Sequence, residues 1–103
     1  MIKIQFANIN SPEQDALERE LNEIQGIKIE KIEQSGFDGL EILFYFISTG
    51  GAFYLITSIK DVIIKAIERN KDSIVNVNGI ELKGYSARDA ATLLEKILRK
   101  NID

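Results

Sequence analysis

The side chains that most often carry chemistry are scarce in this 103-residue chain, which has no cysteine and no histidine. Thiolate nucleophiles, disulfides and Cys-bound zinc are therefore out of reach, as are Ser-His-Asp and Cys-His catalysis and every His-ligated metal site. Carboxylates are plentiful, at 16 Asp and Glu, but no two share a local spacing suited to acid–base work. No catalytic residue, metal site or cofactor follows, and the chain reads as a protein that is not an enzyme. Two glycine pairs remain. Gly36 and Gly39 lie in Ser35-Gly36-Phe37-Asp38-Gly39, between a predicted strand and a predicted helix, where phosphate cradles occur. That stretch lacks the Lys-Ser/Thr of a P-loop and the spacing of a dinucleotide fingerprint, and two glycines beside a helix cap more often serve a tight turn. Gly50 and Gly51 would admit a ligand or a partner helix close to the backbone, or simply kink the chain for internal packing. These four are the candidate backbone-access positions.

The elements that must position these residues come from one small domain, residues 1–103. Hydrophobic residues at 45% and charged residues at 28% are ordinary for a folded domain. With no Trp and one Met, its core must come from Ile, Leu, Val and Phe. Thirteen Lys and Arg against 16 Asp and Glu leave a net charge of -3. That balance disfavours nucleic acid as a partner, because phosphate binding needs a basic surface. The charge is uneven: residues 1–59 hold 4 basic and 9 acidic groups, residues 60–103 hold 9 and 7. Halves of opposite sign attract each other within one molecule or between copies. Met1-Ile2-Lys3-Ile4-Gln5 enters directly into an alternation without a leader pattern, so a cytoplasmic location is expected.

Ile2, Ile4 and Phe6 alternate with Lys3 and Gln5, the period of a strand with one buried face. Ser11-Pro12-Glu13-Gln14 predicts a helix start, with Ser11 as cap and Gln14 completing a capping box. Leu17, Leu21 and Ile24 give that helix its apolar stripe. Its Glu13, Glu18, Glu20 and Glu23 form a solvated face or an acidic docking face. Ile27-Lys28-Ile29-Glu30 is a second strand, and strand, helix, strand at this spacing implies a right-handed crossover with the two strands parallel. Ile32 falls out of phase with Ile27 and Ile29, which requires a bulge near Glu30-Lys31 or a partner on the other face. Asn78-Gly79 between Val75-Asn76-Val77 and Ile80-Glu81-Leu82 predicts a two-residue type I′ hairpin. Ser86-Ala87-Arg88-Asp89 caps a final helix whose stripe is Ala90, Leu94, Ile97 and Leu98.

The stretch from Ile42 to Ile59 has 18 residues and no charge. Read as strands, Phe44–Ile47 and Phe53–Ile56 flank a turn at Gly50-Gly51. Read as helices, Leu40, Leu43, Phe44 and Ile47 share one face, and Ala52, Ile56, Ile59, Ile63, Ala66 and Ile67 continue a stripe beyond the glycines. The helical period fits both halves better, which predicts two helices broken at Gly50-Gly51. Eighteen uncharged residues reach the lower bound for a membrane span. A membrane-associated protein through residues 42–59 is therefore an alternative, though spanning would leave two pieces too small to fold alone.

Gly36-Phe37-Asp38-Gly39-Leu40, an apolar segment holding Gly50-Gly51, an amphipathic helix ending near Arg69, Val75-Asn76-Val77-Asn78-Gly79 and Ser86-Ala87-Arg88-Asp89-Ala90-Ala91-Thr92-Leu93-Leu94 follow one another over residues 36–98. This series resembles the effector-associated constant component family of bacterial conflict systems. The resemblance implies a non-catalytic partner of a protease or NTPase effector. At the helix end Ile67-Glu68-Arg69-Asn70 stands in place of the family's aromatic residue and basic cluster.

The expected fold is α/β or α+β, two-layer, with a four-stranded mixed sheet and the order β-α-β-α-α-β-β-α. The expected function is a non-enzymatic interaction or adaptor module of a bacterial defence or signalling system, its partner a protein and its location cytoplasmic. A small-molecule-sensing regulatory domain, binding at the Ser35–Gly39 loop or beside Gly50-Gly51, is the alternative from another class. Phe44, Phe46, Phe53, Tyr54 and Ile64 cannot all point inward from two helices. They form the candidate interface of a homo-oligomer or a partner complex.

Overall fold

The computed structural model describes residues 1–35 and 41–102. The opening alternation is a strand, β1 (Ile2–Ala7), whose Ile2, Ile4 and Phe6 are buried. Helix α1 (Ser11–Asn22) follows, buried through Leu17 and Leu21. Its cap is Asn10 and not Ser11: the Asn10 Oδ1 accepts from the Glu13 N–H at 3.0 Å. Starting the helix one residue earlier moves Pro12 from the first to the second helical position, still within the first turn, where no N–H is needed. The remaining elements are β2 (Lys28–Ser35), β3 (Glu41–Ser48), α2 (Leu55–Arg69), β4 (Ile74–Val77), β5 (Ile80–Glu81) and α3 (Ala87–Asn101).

The fold is a mixture of helices and one sheet, as expected, but the sheet has five strands in the order β2-β3-β1-β4-β5. Every neighbouring pair is antiparallel, so the expected four-stranded mixed sheet is corrected. β1 and β2 do run in the same direction, because β3 is antiparallel to both and lies between them. This is the split β-α-β connectivity of ferredoxin-like folds, extended by the β4–β5 hairpin and α3.

The structure departs from the expected order in the uncharged stretch. Its first half is not a helix but β3, and its second half enters α2 after a turn. β3 has Leu43, Tyr45 and Ile47 buried toward the helices while Ile42, Phe44 and Phe46 occupy the opposite face. A strand apolar on both faces loses the alternation that identifies strands, and a helical period then fits by default. Gly50 and Gly51, at φ 65° and 83°, make the turn between β3 and α2 rather than kink a helix. The apolar stretch is thereby divided, and among the described residues no helix is long and apolar enough to cross a membrane.

All three helices bury their stripes against one face of the sheet. Leu17 and Leu21 of α1, Ile56, Ile59 and Ile63 of α2, and Leu94 and Leu98 of α3 join Ile4, Phe6, Leu43, Tyr45 and Val77 in one core. The hairpin is formed as expected. Asn78 and Gly79 have φ 49° and 88°, Val77 pairs with Ile80, and the Leu82 N–H reaches the Val75 carbonyl at 2.9 Å. Ser86 caps α3, accepting from the Asp89 N–H at 3.1 Å.

Candidate interaction surfaces

The face of the sheet turned away from the helices is built from the alternate residues of every strand. Strand register places its side chains in rows. One row runs Glu30, Phe46, Lys3 across β2, β3 and β1; the next runs Ile32, Phe44, Gln5, Asn76, Glu81 across the whole sheet; a third runs Gln34, Ile42, Ala7, Ile74. Phe44 and Phe46 stack with ring centroids 6.5 Å apart and planes inclined by 22°. Lys3 lies over both rings, its Nζ 5.1 Å from the Phe44 centroid and 5.9 Å from that of Phe46. Such cation–π contacts hold the ammonium across the aromatic pair. The β2–β3 register is unbroken from Lys28↔Ser48 to Ser35↔Glu41, so of the two explanations offered for Ile32 the bulge near Glu30-Lys31 is absent. Ile32 is out of phase because it belongs to this second face, beside Phe44, and is 39% exposed.

A second apolar surface lies at the entry to α2. Phe53 and Tyr54 are 59% and 76% exposed. The Gly50-Gly51 turn carries the chain out of β3, and the Leu55 and Ile56 N–H groups close the first helical turn onto the Ala52 and Phe53 carbonyls. That geometry buries Leu55 and Ile56 and leaves the two preceding aromatics outside. Two adjacent large aromatics in water are costly to a free monomer and mark a contact surface more often than a scattered aliphatic does.

Of the acidic group Glu13, Glu18, Glu20 and Glu23, the first three are paired within the molecule, while Glu23 is exposed. Glu13 and Glu20 both accept from Arg69 at the end of α2, at 2.9 and 2.5 Å. Glu18 pairs with Lys31 of β2 and accepts from the Tyr45 hydroxyl at 3.1 Å. Lys31 also reaches Glu33 at 2.8 Å. Burial works to raise the Glu18 carboxyl, but the hydrogen bonds from Lys31 and Tyr45 outweigh it and hold the group below its ordinary value. Lys31 is raised by its bonds to Glu18 and Glu33. Tyr45 is pushed far up, first by burial and then by the Glu18 charge, so its hydroxyl is a permanent donor. The attraction between acidic and basic halves is thus realised within one molecule through Arg69.

A groove of about 580 Å³ lies between the end of α2, β4 and the segment leading to α3. Ile67, Val75 and Leu82 form its apolar walls, with Glu68, Lys71 and Lys83 around them. Neither Gly50 nor Gly51 is among its described lining residues. At Gly50 a Cβ would meet nothing within 4 Å, so no close backbone approach needs that glycine; its φ does. Gly36 and Gly39 lie outside the described residues. Among the described residues no group of three or more Asp or Glu is placed to hold a metal ion.

The five candidate interface residues are not brought together. Phe44 and Phe46 share the outer sheet face, Phe53 and Tyr54 share the turn before α2, and Ile64 packs partly buried against the core in the helical layer. Reading the segment as helical merged surfaces that a strand and a turn keep apart. Lys3 and Glu30 were missed as their neighbours, because only the pairing of β1, β2 and β3 places them beside Phe46. The out-of-phase Ile32 was the signal that could have found them. No protein-family model, curated protein or solved structure gives a significant match to this chain.

Proposed function

We propose that this protein is a non-enzymatic interaction module, an adaptor that joins a protease or NTPase effector in a bacterial defence or signalling system and works in the cytoplasm. The observation that carries the reading is the exposure of Phe53 and Tyr54 side by side at the head of α2. Aromatic pairs of this kind supply large contact area at little cost in side-chain entropy, and they dominate interfaces where they are buried. The effector class comes from the resemblance over residues 36–98. The test is affinity capture from the native organism with the wild-type chain and with a Phe53→Ser/Tyr54→Glu variant. The reading expects a protease or NTPase recovered by the first and lost with the second. Equal recovery by both, or neither class recovered by the wild type, would count against it.

The groove at the end of α2 supports a second reading, a small-molecule-sensing regulatory domain. Its volume falls within the range of ligand pockets, and its apolar walls with a few charged groups are what such pockets use. A ligand bound only by the folded state raises the melting temperature. A thermal-shift series with nucleotides and amino acids therefore decides it: a shift abolished by Lys83→Glu supports the sensor, and no shift removes it.

A further inference from the structure

Phe44 and Phe46 lie on a sheet face that the three helices leave uncovered, and the row containing Phe46 carries opposite charges on its two sides. Glu30 of β2 stands on one side of Phe46 and Lys3 of β1 on the other. From this arrangement we infer that the outer sheet face docks on the same face of a second copy of this chain, about a twofold axis parallel to β3. The inference is independent of the effector contact, which uses Phe53 and Tyr54.

The register decides the geometry. Rotation by 180° about an axis running along β3, midway between two facing sheets, preserves a residue's position along its strand and exchanges the two sides of β3. Phe44, Phe46 and Ile42 then meet their own counterparts near the axis. β2 comes to lie over the partner's β1, so Glu30 faces the partner's Lys3 in the Phe46 row. Symmetry repeats the pair on the other side of the axis, as an isologous interface must. The Lys3 ammonium already lies across Phe44 and Phe46, so a carboxylate arriving above it completes an ion pair over an aromatic floor. Ile32, which the unbroken β2–β3 register places on this face, is covered in the same step.

Charge argues against a polyanion on this face. Its described ionic residues are Lys3 and Lys28 against Glu30 and Glu81, two of each sign, which suits a self-complementary surface better than a phosphate backbone. Area sets the strength. With strands about 4.8 Å apart and same-face residues about 6.8 Å apart, three strands by three rows cover about 300 Å² of flat sheet on each copy. Side-chain relief adds to this, and the total lies below the standard size of specific interfaces, in the range of weak, transient contacts. The expected dimer dissociates in the micromolar range rather than the nanomolar.

Sedimentation equilibrium on the purified chain tests this, with Glu30→Lys, Lys3→Glu and the double exchange Lys3→Glu/Glu30→Lys. Both single variants set like charges against each other twice per dimer and are expected to weaken association at least tenfold. The double exchange restores opposite charges and recovers most of the loss. Circular dichroism verifies that each variant is folded, and since these positions lie outside the core, folding is retained. A wild-type chain that stays monomeric at several hundred micromolar overturns the inference. So does association that the single variants leave unchanged, or that the double exchange fails to restore. Binding of an oligothymidylate to the wild type, lost in Phe44→Ser, would assign the face to single-stranded nucleic acid instead. Because Phe53 and Tyr54 are intact in every variant, effector capture by a monomeric variant separates failure of the dimer from failure of the adaptor reading.

Discussion

The Tyr45 hydroxyl donates to Glu18 Oε1 at 3.1 Å, tying the buried face of β3 to the solvent edge of α1. The ring itself is held independently, edge-on to Phe6 with centroids 6.0 Å apart and planes at 79°. Hydroxyl and ring are therefore separable. Tyr45→Phe keeps the aromatic contact and removes one charge-assisted hydrogen bond, which should cost about 1–2 kcal/mol. Urea unfolding would show a lower midpoint at unchanged slope. An unchanged midpoint would mean that Lys31 alone satisfies Glu18.

The same cluster predicts a pH dependence. The folded Glu18 carboxyl lies below its ordinary 4.5. Its contribution is thus complete above about pH 4.5 and is lost as the pH falls through the folded value. Lys31 lies above its ordinary 10.5, so its contribution is complete below that value and is lost as the pH rises through the folded one. The cluster is at full strength between the two. Glu18→Gln should flatten the acid limb of the stability curve, measured as melting temperature between pH 5 and 2.5, while leaving the alkaline limb to Lys31 and Glu33. A variant curve parallel to wild type in acid would place the acid sensitivity elsewhere.

The sequence was most readable where one face of an element is wet. Ile2, Ile4 and Phe6 alternate cleanly because β1 carries Lys3 and Gln5 on the outer face. α3 shows its stripe because its other side faces water. Asn78-Gly79 identified its turn because few residue pairs tolerate two positive φ angles. β3 failed the same tests because it is apolar on both faces, and periodicity carries no information about a strand without a polar side. The sheet order failed for a different reason. Local patterns cannot show that β3 inserts between β1 and β2, and every outer-face neighbour of Phe46 depends on that insertion.

Arg69 joins the end of α2 to the first and last turns of α1 through Glu13 and Glu20. Its side chain is only 32% exposed and that of Glu20 only 19%, so water replaces it poorly. Arg69→Met should destabilise by about 1–2 kcal/mol, less than a buried pair because part of the site is screened. Adding Glu20→Gln should recover some of this, since the more buried of the two charges left without a partner is then gone. A double-mutant cycle that sums without coupling would show that the ion pair contributes nothing.

Asn78 serves the β4–β5 hairpin in two separable ways. Its backbone adopts φ 49°, a conformation that costs most side chains about 1 kcal/mol or more and costs glycine nothing. Its amide also extends the pairing of β1 past the end of the strand. Oδ1 accepts from the Lys3 N–H at 3.1 Å, and Nδ2 donates to the Met1 carbonyl at 3.2 Å. Asn78→Gly loses the amide contacts and keeps the backbone, whereas Asn78→Ala loses both. Alanine should therefore be the more damaging of the two by about 1 kcal/mol, with glycine itself about 1 kcal/mol below wild type. Chemical denaturation of the three proteins under one buffer separates the contributions. If alanine proves as stable as glycine, the positive φ is not strained here, and the preference for Asn lies in its amide alone.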